Sequence, residues 1–294
     1  MPALPQFPSS EKWPALREIL TGLRGVVVAV SGGVDSLLLA TLAHRTLPGR
    51  ALMAHTTGPA VPAACTERVR QEAARQGWRL TMVATGELLD ERYLANPFDR
   101  CYFCKTHLYA RLASLAADIA GELGVLPVVV SGANADDLGE HRPGLVAASE
   151  LAVRHPFVEA GVAKADIRAM ARELGLSFAD IPASPCLASR IYTGTRVTPE
   201  ILGAISFAEE FLKERLHIDV VRCRVRETDM LLGMLVEAPE PARRLVTPAI
   251  LAELGPPLCA RFPSIQTVDL DPEPYRPGRA FRSDDSHGQS SRRK

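Results

Sequence analysis

Three groups of residues in this chain have types and spacings that could do chemistry. In the first, Val26-Val27-Val28-Ala29-Val30 runs into Ser31-Gly32-Gly33-Val34-Asp35-Ser36 and on into Leu37-Leu38-Leu39-Ala40. An unbroken β-branched run is what a strand buried on both faces of a parallel sheet requires, and the apolar run after Ser36 reads as a helix. Gly32 and Gly33 allow a sharp turn with no Cβ in the way. Several N–H groups, with the Ser31 and Ser36 hydroxyls, can then converge on an anion at the positive end of the helix. The loop has neither G-x-G-x-x-G nor the Gly-Lys-Ser/Thr ending of a Walker loop, so it implies a different phosphate chemistry.

The second group is the cysteines, of which the chain has six. Cys101-Tyr102-Phe103-Cys104 follows a proline turn at the start of a helix expected over 105–123, where the helix dipole favours thiolates. By itself a C-x-x-C pair is open between zinc ligation, a redox dithiol, half of an iron-sulfur site and two inert thiols. Cys186 lies between Pro185 and Arg190 in a proline-broken segment, which suits a fixed active-site loop; Arg190 would favour its thiolate. Packing is the other role open to it.

The third group follows the apolar strand expected at 128–131: Gly132-Ala133-Asn134-Ala135-Asp136-Asp137, then Arg142-Pro143-Gly144. Ligands in doubly wound sheets sit at the carboxyl ends of strands, where this segment falls. Asp136 and Asp137 could hold Mg²⁺ on nucleotide phosphates, or with Asn134 merely cap a helix.

The elements that must position these groups read as βαβα. Helices are expected over 9–23, 62–76 and 164–174, and strands over 26–30, 51–57, 79–84 and 128–131, with an extended piece at 155–159. That alternation indicates an α/β fold with a doubly wound, mostly parallel, Rossmann-like sheet. Beyond it, a helix at 199–216, strands at 219–226 and 231–236, a helix at 239–254 and a strand at 265–270 form a smaller α+β domain. The domains expected are 1–195, 196–278 and a disordered tail at 279–294. Arg222, Arg224 and Arg226 alternate, so they share one strand face and need an anion, partner carboxylates or an exposed edge.

Composition narrows the class. With 294 residues and 47% hydrophobic content the chain can bury a large core. Lys+Arg and Asp+Glu both total 34, so no bulk positive field draws it to nucleic acid, and a small anionic substrate fits better. No apolar run reaches membrane-spanning length and the first residues lack signal-peptide design, so a cytoplasmic protein is expected. In that compartment the cysteines are not a disulfide framework.

Ser31-Gly32-Gly33-Val34-Asp35-Ser36 matches the S-G-G-x-D-S loop of the PP-loop ATP pyrophosphatases. That resemblance implies ATP cleavage between the α and β phosphates, with substrate adenylation. The PP-loop, Gly132-Ala133-Asn134-Ala135-Asp136-Asp137, Arg142-Pro143-Gly144 and Cys186-Leu187-Ala188-Ser189-Arg190 together resemble the LarE family, the sulfur transferases of nickel-pincer cofactor synthesis, over residues 25–275. The resemblance implies adenylation of a pyridinium carboxylate mononucleotide, then sulfur delivery to give a thiocarboxylate. It implies ATP and Mg²⁺ as cofactors, sulfide or another sulfur donor, and a homo-oligomer. It assigns Ser31, Gly32, Gly33, Asp35, Ser36, Gly132, Asn134, Asp136, Asp137, Arg142, Arg224 and Arg226 to binding, and Asp35, Arg190 and the cysteines to catalysis.

Two mechanisms occur in that family. In one, a cysteine at the position of Cys186 gives up its sulfur and becomes dehydroalanine. In the other, that cysteine and a C-x-x-C pair hold a [4Fe-4S] cluster whose open iron carries an exchangeable sulfide. The presence of Cys101, Cys104 and Cys186 favours the cluster. Cys65, Cys223 and Cys259 are assigned to packing. Competing readings are a PP-loop tRNA thiolase, an ammonia-using synthetase of the NAD or GMP kind, a zinc protein with His107 as fourth ligand, and a non-catalytic ATP and cluster sensor.

Overall fold

The computed structural model describes residues 6–139 and 142–280. In chain order the elements are α1 (Trp13–Leu23), β1 (Val26–Ala29), α2 (Val34–Thr46), β2 (Ala51–Thr56), α3 (Ala63–Gln76), β3 (Arg79–Val83), α4 (Glu91–Leu94), α5 (Arg100–Leu123), β4 (Val128–Ser131), α6 (Pro143–Glu150), α7 (Pro156–Glu159), α8 (Lys164–Glu173), α9 (Pro199–Leu216), β5 (Arg222–Thr228), β6 (Leu231–Glu237), α10 (Pro248–Arg261) and β7 (Ile265–Leu270). They divide into two compact units, Met1–Glu87 with Cys101–Ser184, and Leu88–Arg100 with Pro185–Lys294. Of the tail expected at 279–294, residues 281–294 lie outside the described residues.

The first unit is an α/β layer structure around a four-stranded, all-parallel sheet of order β3-β2-β1-β4. The valine run explains why β1 is central. Val26 and Val28 enter a core with Leu16 and Leu20 of α1, Leu37 and Leu38 of α2 and Ile167 of α8. Val27 turns to the opposite core, formed with Leu108, Leu112 and Ile119 of α5. All three valines are fully buried, each stabilising the fold by roughly 1.5–3 kcal/mol. The chain order reverses beside β1, with β2 and β3 on one side and β4 on the other. The carboxyl ends of β1 and β4 therefore flank the crevice where doubly wound sheets take their ligands.

The second unit carries a small mixed sheet of order β5-β6-β7, antiparallel between β5 and β6 and parallel between β6 and β7. Thr198 and Thr247 cap α9 and α10 by accepting the N–H groups of Ile201 and Ile250, each just ahead of a proline that presets the first turn.

Several elements depart from the sequence expectation. Helix α5 begins at Arg100 rather than 105, so Cys101 and Cys104 lie within its first turns. Residues 156–159, expected extended, form the one-turn helix α7, because Pro156 presets helical φ and the His155 carbonyl accepts the Glu159 N–H at 3.0 Å. The single helix expected over 239–254 is a 3₁₀ turn at Ala242–Leu245 followed by α10; Pro248 pushes Thr247 to extended backbone and restarts the helix there. Helices α4, capped by Asp90, and α6, opened by Pro143, have no counterpart in the sequence expectation.

Candidate functional site

In the first unit the loop at residues 31–36 joins the carboxyl end of β1 to the start of α2. Gly32 has φ 83°, and a Cβ there would stand 2.7 Å from the Cys65 carbonyl oxygen and 3.0 Å from its Cβ. Both conformation and space exclude a side chain. Gly33 differs: its φ is −85°, and a Cβ would meet only Ser31 Oγ, at 3.6 Å. The missing side chain at Gly33 leaves open space over the helix start.

Ser36 staples the loop. Its hydroxyl donates to the Gly33 carbonyl, accepts the Ser31 N–H and lies 3.0 Å from Ser31 Oγ, all three distances being 3.0 Å. Arg68 of α3 donates from Nη1 to the Gly32 carbonyl at 2.7 Å. Beneath the loop, buried His55 sits between the Val30 carbonyl (2.7 Å) and Thr66 Oγ1 (2.9 Å). A carbonyl can only accept, so Nδ1 carries the proton and Nε2 accepts from the Thr66 hydroxyl. Burial lowers the His55 pKa, which keeps the ring neutral.

Gly132, just beyond β4, packs against the same helix start: a Cβ there would lie 2.8 Å from the Ser36 nitrogen. The next turn is closed by Asn134, whose Oδ1 accepts the Asp136 N–H and whose own N–H donates to Asp137 Oδ2, both at 3.0 Å. Arg142 pairs with Asp137 at 2.8 Å. Lys164, the first residue of α8, ties these pieces together. Its backbone N–H donates to Asp136 Oδ2 at 2.9 Å, while its Nζ donates to Asp35 Oδ1 and Oδ2 at 2.7 and 2.6 Å. Burial raises the Asp35 pKa, against the opposing effect of Lys164. Ser31, Gly32, Gly33, Asp35, Ser36, Gly132, Asn134, Asp136, Asp137 and Arg142 thus belong to one unit, as do Cys101 and Cys104, three residues apart and partly buried on one face of α5.

Cys186, Arg190, Arg224 and Arg226 belong to the second unit. Cys186 is exposed at the head of the 3₁₀ turn Leu187–Arg190. Arg190 holds that turn from beneath: Nε and Nη2 donate to Glu209, and Nη1 donates to the carbonyls of Pro185 and Cys186 and to Ser189 Oγ. Burial opposes the charge on Arg190, but the Glu209 hydrogen bonds carry its pKa above the ordinary value. Arg224 is also buried, donating to Glu237 at 2.7 Å and to the carbonyls of Ser189 and Arg276. Arg226 is exposed. The three alternating arginines are therefore met by carboxylates on the buried part of the strand and by solvent at its end.

Lys164, Arg68 and His55 were missed by sequence reading. One signal was available for Lys164, since a cation in the first turn of a helix opposes the dipole and calls for a partner.

Among the described residues, no group of three or more His, Cys, Asp or Glu side chains is placed to hold a metal ion. A magnesium ion arriving on a nucleotide needs only one or two protein carboxylates besides phosphates and water, so the donor set of Asp136 and Asp137 fits it. Cys101, Cys104 and Cys186 fit an iron-sulfur group in donor chemistry, being sulfur ligands with solvent access, whereas Cys65 and Cys223 are buried and burial pushes the Cys223 thiol well up. Among the described residues no helix is long and apolar enough to cross a membrane.

No family model matches the chain. It is 34% identical over 275 residues to the uncharacterized protein slr1717 of Synechocystis, covering 91% of this chain and 96% of that one. It is 32% identical over 223 residues to the pyridinium-3,5-bisthiocarboxylic acid mononucleotide synthase of Lactiplantibacillus plantarum, covering 71% of this chain and 77% of the synthase. With the uncharacterized protein MJ0830 of Methanocaldococcus jannaschii it shares 30% identity over 188 residues, 64% of this chain and 69% of that one.

Proposed function

Because the chain belongs to the LarE family, that of the pyridinium-3,5-bisthiocarboxylic acid mononucleotide synthase, we propose that it is an ATP-dependent sulfur transferase of nickel-pincer cofactor synthesis. Its substrate is a small anionic pyridinium carboxylate mononucleotide. A carboxylate oxygen of the substrate attacks the α-phosphorus of ATP, the bond from that phosphorus to the bridging oxygen breaks, and pyrophosphate leaves with the electron pair. Sulfide then adds to the activated acyl carbon and AMP departs, leaving a thiocarboxylate.

The observation that carries the reading is the loop at residues 31–36. Its backbone is held in one shape by Gly32 against Cys65 and by the Ser36 hydroxyl, and Gly33 leaves the helix start open to an anion. In this reading the loop N–H groups and Ser31 bind the nucleotide phosphates, and Asp136 and Asp137 hold the accompanying Mg²⁺. The exposed guanidinium groups of Arg142 and Arg226 bind anionic groups of the mononucleotide. Arg190 and Arg224 act by fixing the turn that presents Cys186. Cys101, Cys104 and Cys186 are the proposed thiolate ligands of a [4Fe-4S] cluster, which when bound supplies exchangeable sulfide on its open iron.

The test is product analysis with ATP and the mononucleotide carboxylate. AMP and pyrophosphate should form only when both are present, and Asp35→Ala should abolish the reaction. Formation of ADP and phosphate instead, or unchanged turnover in both Asp35→Ala and Ser36→Ala, overturns the reading.

A further inference from the structure

The loop at residues 31–36 is anchored by its carbonyl oxygens, two of which are reached by side chains from other elements. His55, on β2, donates from Nδ1 to the Val30 carbonyl at 2.7 Å, while Ser36 Oγ accepts the Ser31 N–H at 3.0 Å. That carbonyl and that N–H are opposite edges of one planar peptide unit, so the peptide entering the loop is gripped on both edges. Arg68 Nη1 donates to the Gly32 carbonyl at 2.7 Å, and the Ser36 hydroxyl and the Leu37 N–H both donate to the Gly33 carbonyl at 3.0 Å. The Gly33 and Val34 N–H groups lie on the far edges of those two peptides, so whatever holds the carbonyls also aims the N–H groups. Val34 opens α2, where the first N–H groups have no carbonyl of their own helix to meet. One helix sets two of the three grips: Thr66 of α3 fixes the His55 ring at 2.9 Å from Nε2, and Arg68 follows two residues later.

We propose that His55 and Arg68 are positioning residues for nucleotide binding: through the Val30 and Gly32 carbonyls they hold the loop N–H groups in the geometry that receives phosphate. The proposal rests on the adenylation reading above. Neither side chain has to touch the nucleotide, because each acts through a peptide unit. A loop held in its binding shape loses little freedom when the anion arrives, whereas a peptide released from its grip must be ordered at that moment, which weakens binding.

Equilibrium dialysis of the full chain with ATP and Mg²⁺ tests this, each disruptive variant being paired with a conservative one. Arg68→Met keeps the aliphatic stem and loses the donor; Arg68→Lys restores a donor, which suffices because a single nitrogen of Arg68 meets Gly32. His55→Leu loses the Nδ1 donor, and His55→Asn keeps an amide N–H near its place. Arg68→Met and His55→Leu should each weaken ATP binding by about tenfold or more, while Arg68→Lys and His55→Asn should stay within about threefold of the parent. Arg68 is partly exposed, so Arg68→Met should melt near the parent temperature, and it carries the test even if His55→Leu fails to fold. Parental ATP affinity in Arg68→Met or in folded His55→Leu, or conservative variants as weak as the disruptive ones, overturns the positioning role and leaves adenylation standing. An unmutated protein that binds no ATP removes both.

Discussion

Arg190 and Glu209 form a bidentate ion pair at 2.8 and 3.1 Å with side chains only 2% and 3% exposed. Removing one partner leaves a buried charge uncompensated, which costs about 3–5 kcal/mol. Glu209→Ala should therefore lower the unfolding free energy by that amount in urea titrations. It should also impair sulfur transfer, because Arg190 then loses its anchor beneath the Cys186 turn. A loss under about 1 kcal/mol would mean that the pair is hydrated in solution.

The two loop glycines should respond differently. Gly32→Ala forces a side chain into left-handed backbone, at about 1–2 kcal/mol, and against the Cys65 carbonyl, so stability and ATP binding should both fall. Gly33→Ala meets no such contact. Its melting temperature should match the parent while ATP binding weakens. Parental ATP affinity in Gly33→Ala would remove the loop as a phosphate cradle.

Removal of the proposed cluster separates the sulfur chemistries. Anaerobic reconstitution with iron and sulfide should give a brown, oxygen-sensitive protein whose Mössbauer spectrum shows a [4Fe-4S] cluster. Chelation of the iron, or Cys101→Ala or Cys104→Ala, should stop repeated turnover with added sulfide. If both variants retain full transfer while Cys186 loses the mass of hydrogen sulfide, the sulfur comes from Cys186 itself. A colourless protein with one zinc per chain would instead favour the zinc reading.

Acid should weaken the fold through the histidines. Burial lowers the pKa of His55, as it does for His44 and His155, below the ordinary 6.5. The unfolded chain then binds more protons than the folded one as the pH drops below 6.5, so stability declines there and recovers as the pH rises. The decline continues until the pH falls below the lowered folded values. Each group adds at most about 1.4 kcal/mol per pH unit. Asp35 and Glu237, whose pKa values burial raises, act in the opposite sense, so the test compares His55→Gln with the parent. The variant should be less stable at neutral pH and show a shallower loss between pH 6.5 and 5. An identical slope would mean that His55 is not neutral in the fold.

What the sequence by itself determined is local. The valine run before Gly32, the helix ending at Leu23 and the helix opened at Pro199 each depend on residues a few positions apart, and they appear in the structure close to where the pattern put them, whereas the helix expected over 239–254 begins only at Pro248. The βαβα alternation likewise indicates the parallel sheet, and the later helix and strand runs a smaller α+β unit, whose mixed strand directions are set by the tertiary structure. Only the tertiary structure decided the pairing of charges. Asp35 and Lys164 meet across 129 positions, and the carboxylates that neutralise Arg190 and Arg224 are Glu209 and Glu237. Arg190, read from sequence as a charge near Cys186, donates to Glu209 and to the backbone of its own turn. The physical reason is range: periodicity and capping arise from neighbours along the chain, whereas an ion pair depends on a distance and a degree of burial that exist only once the core has closed around both partners.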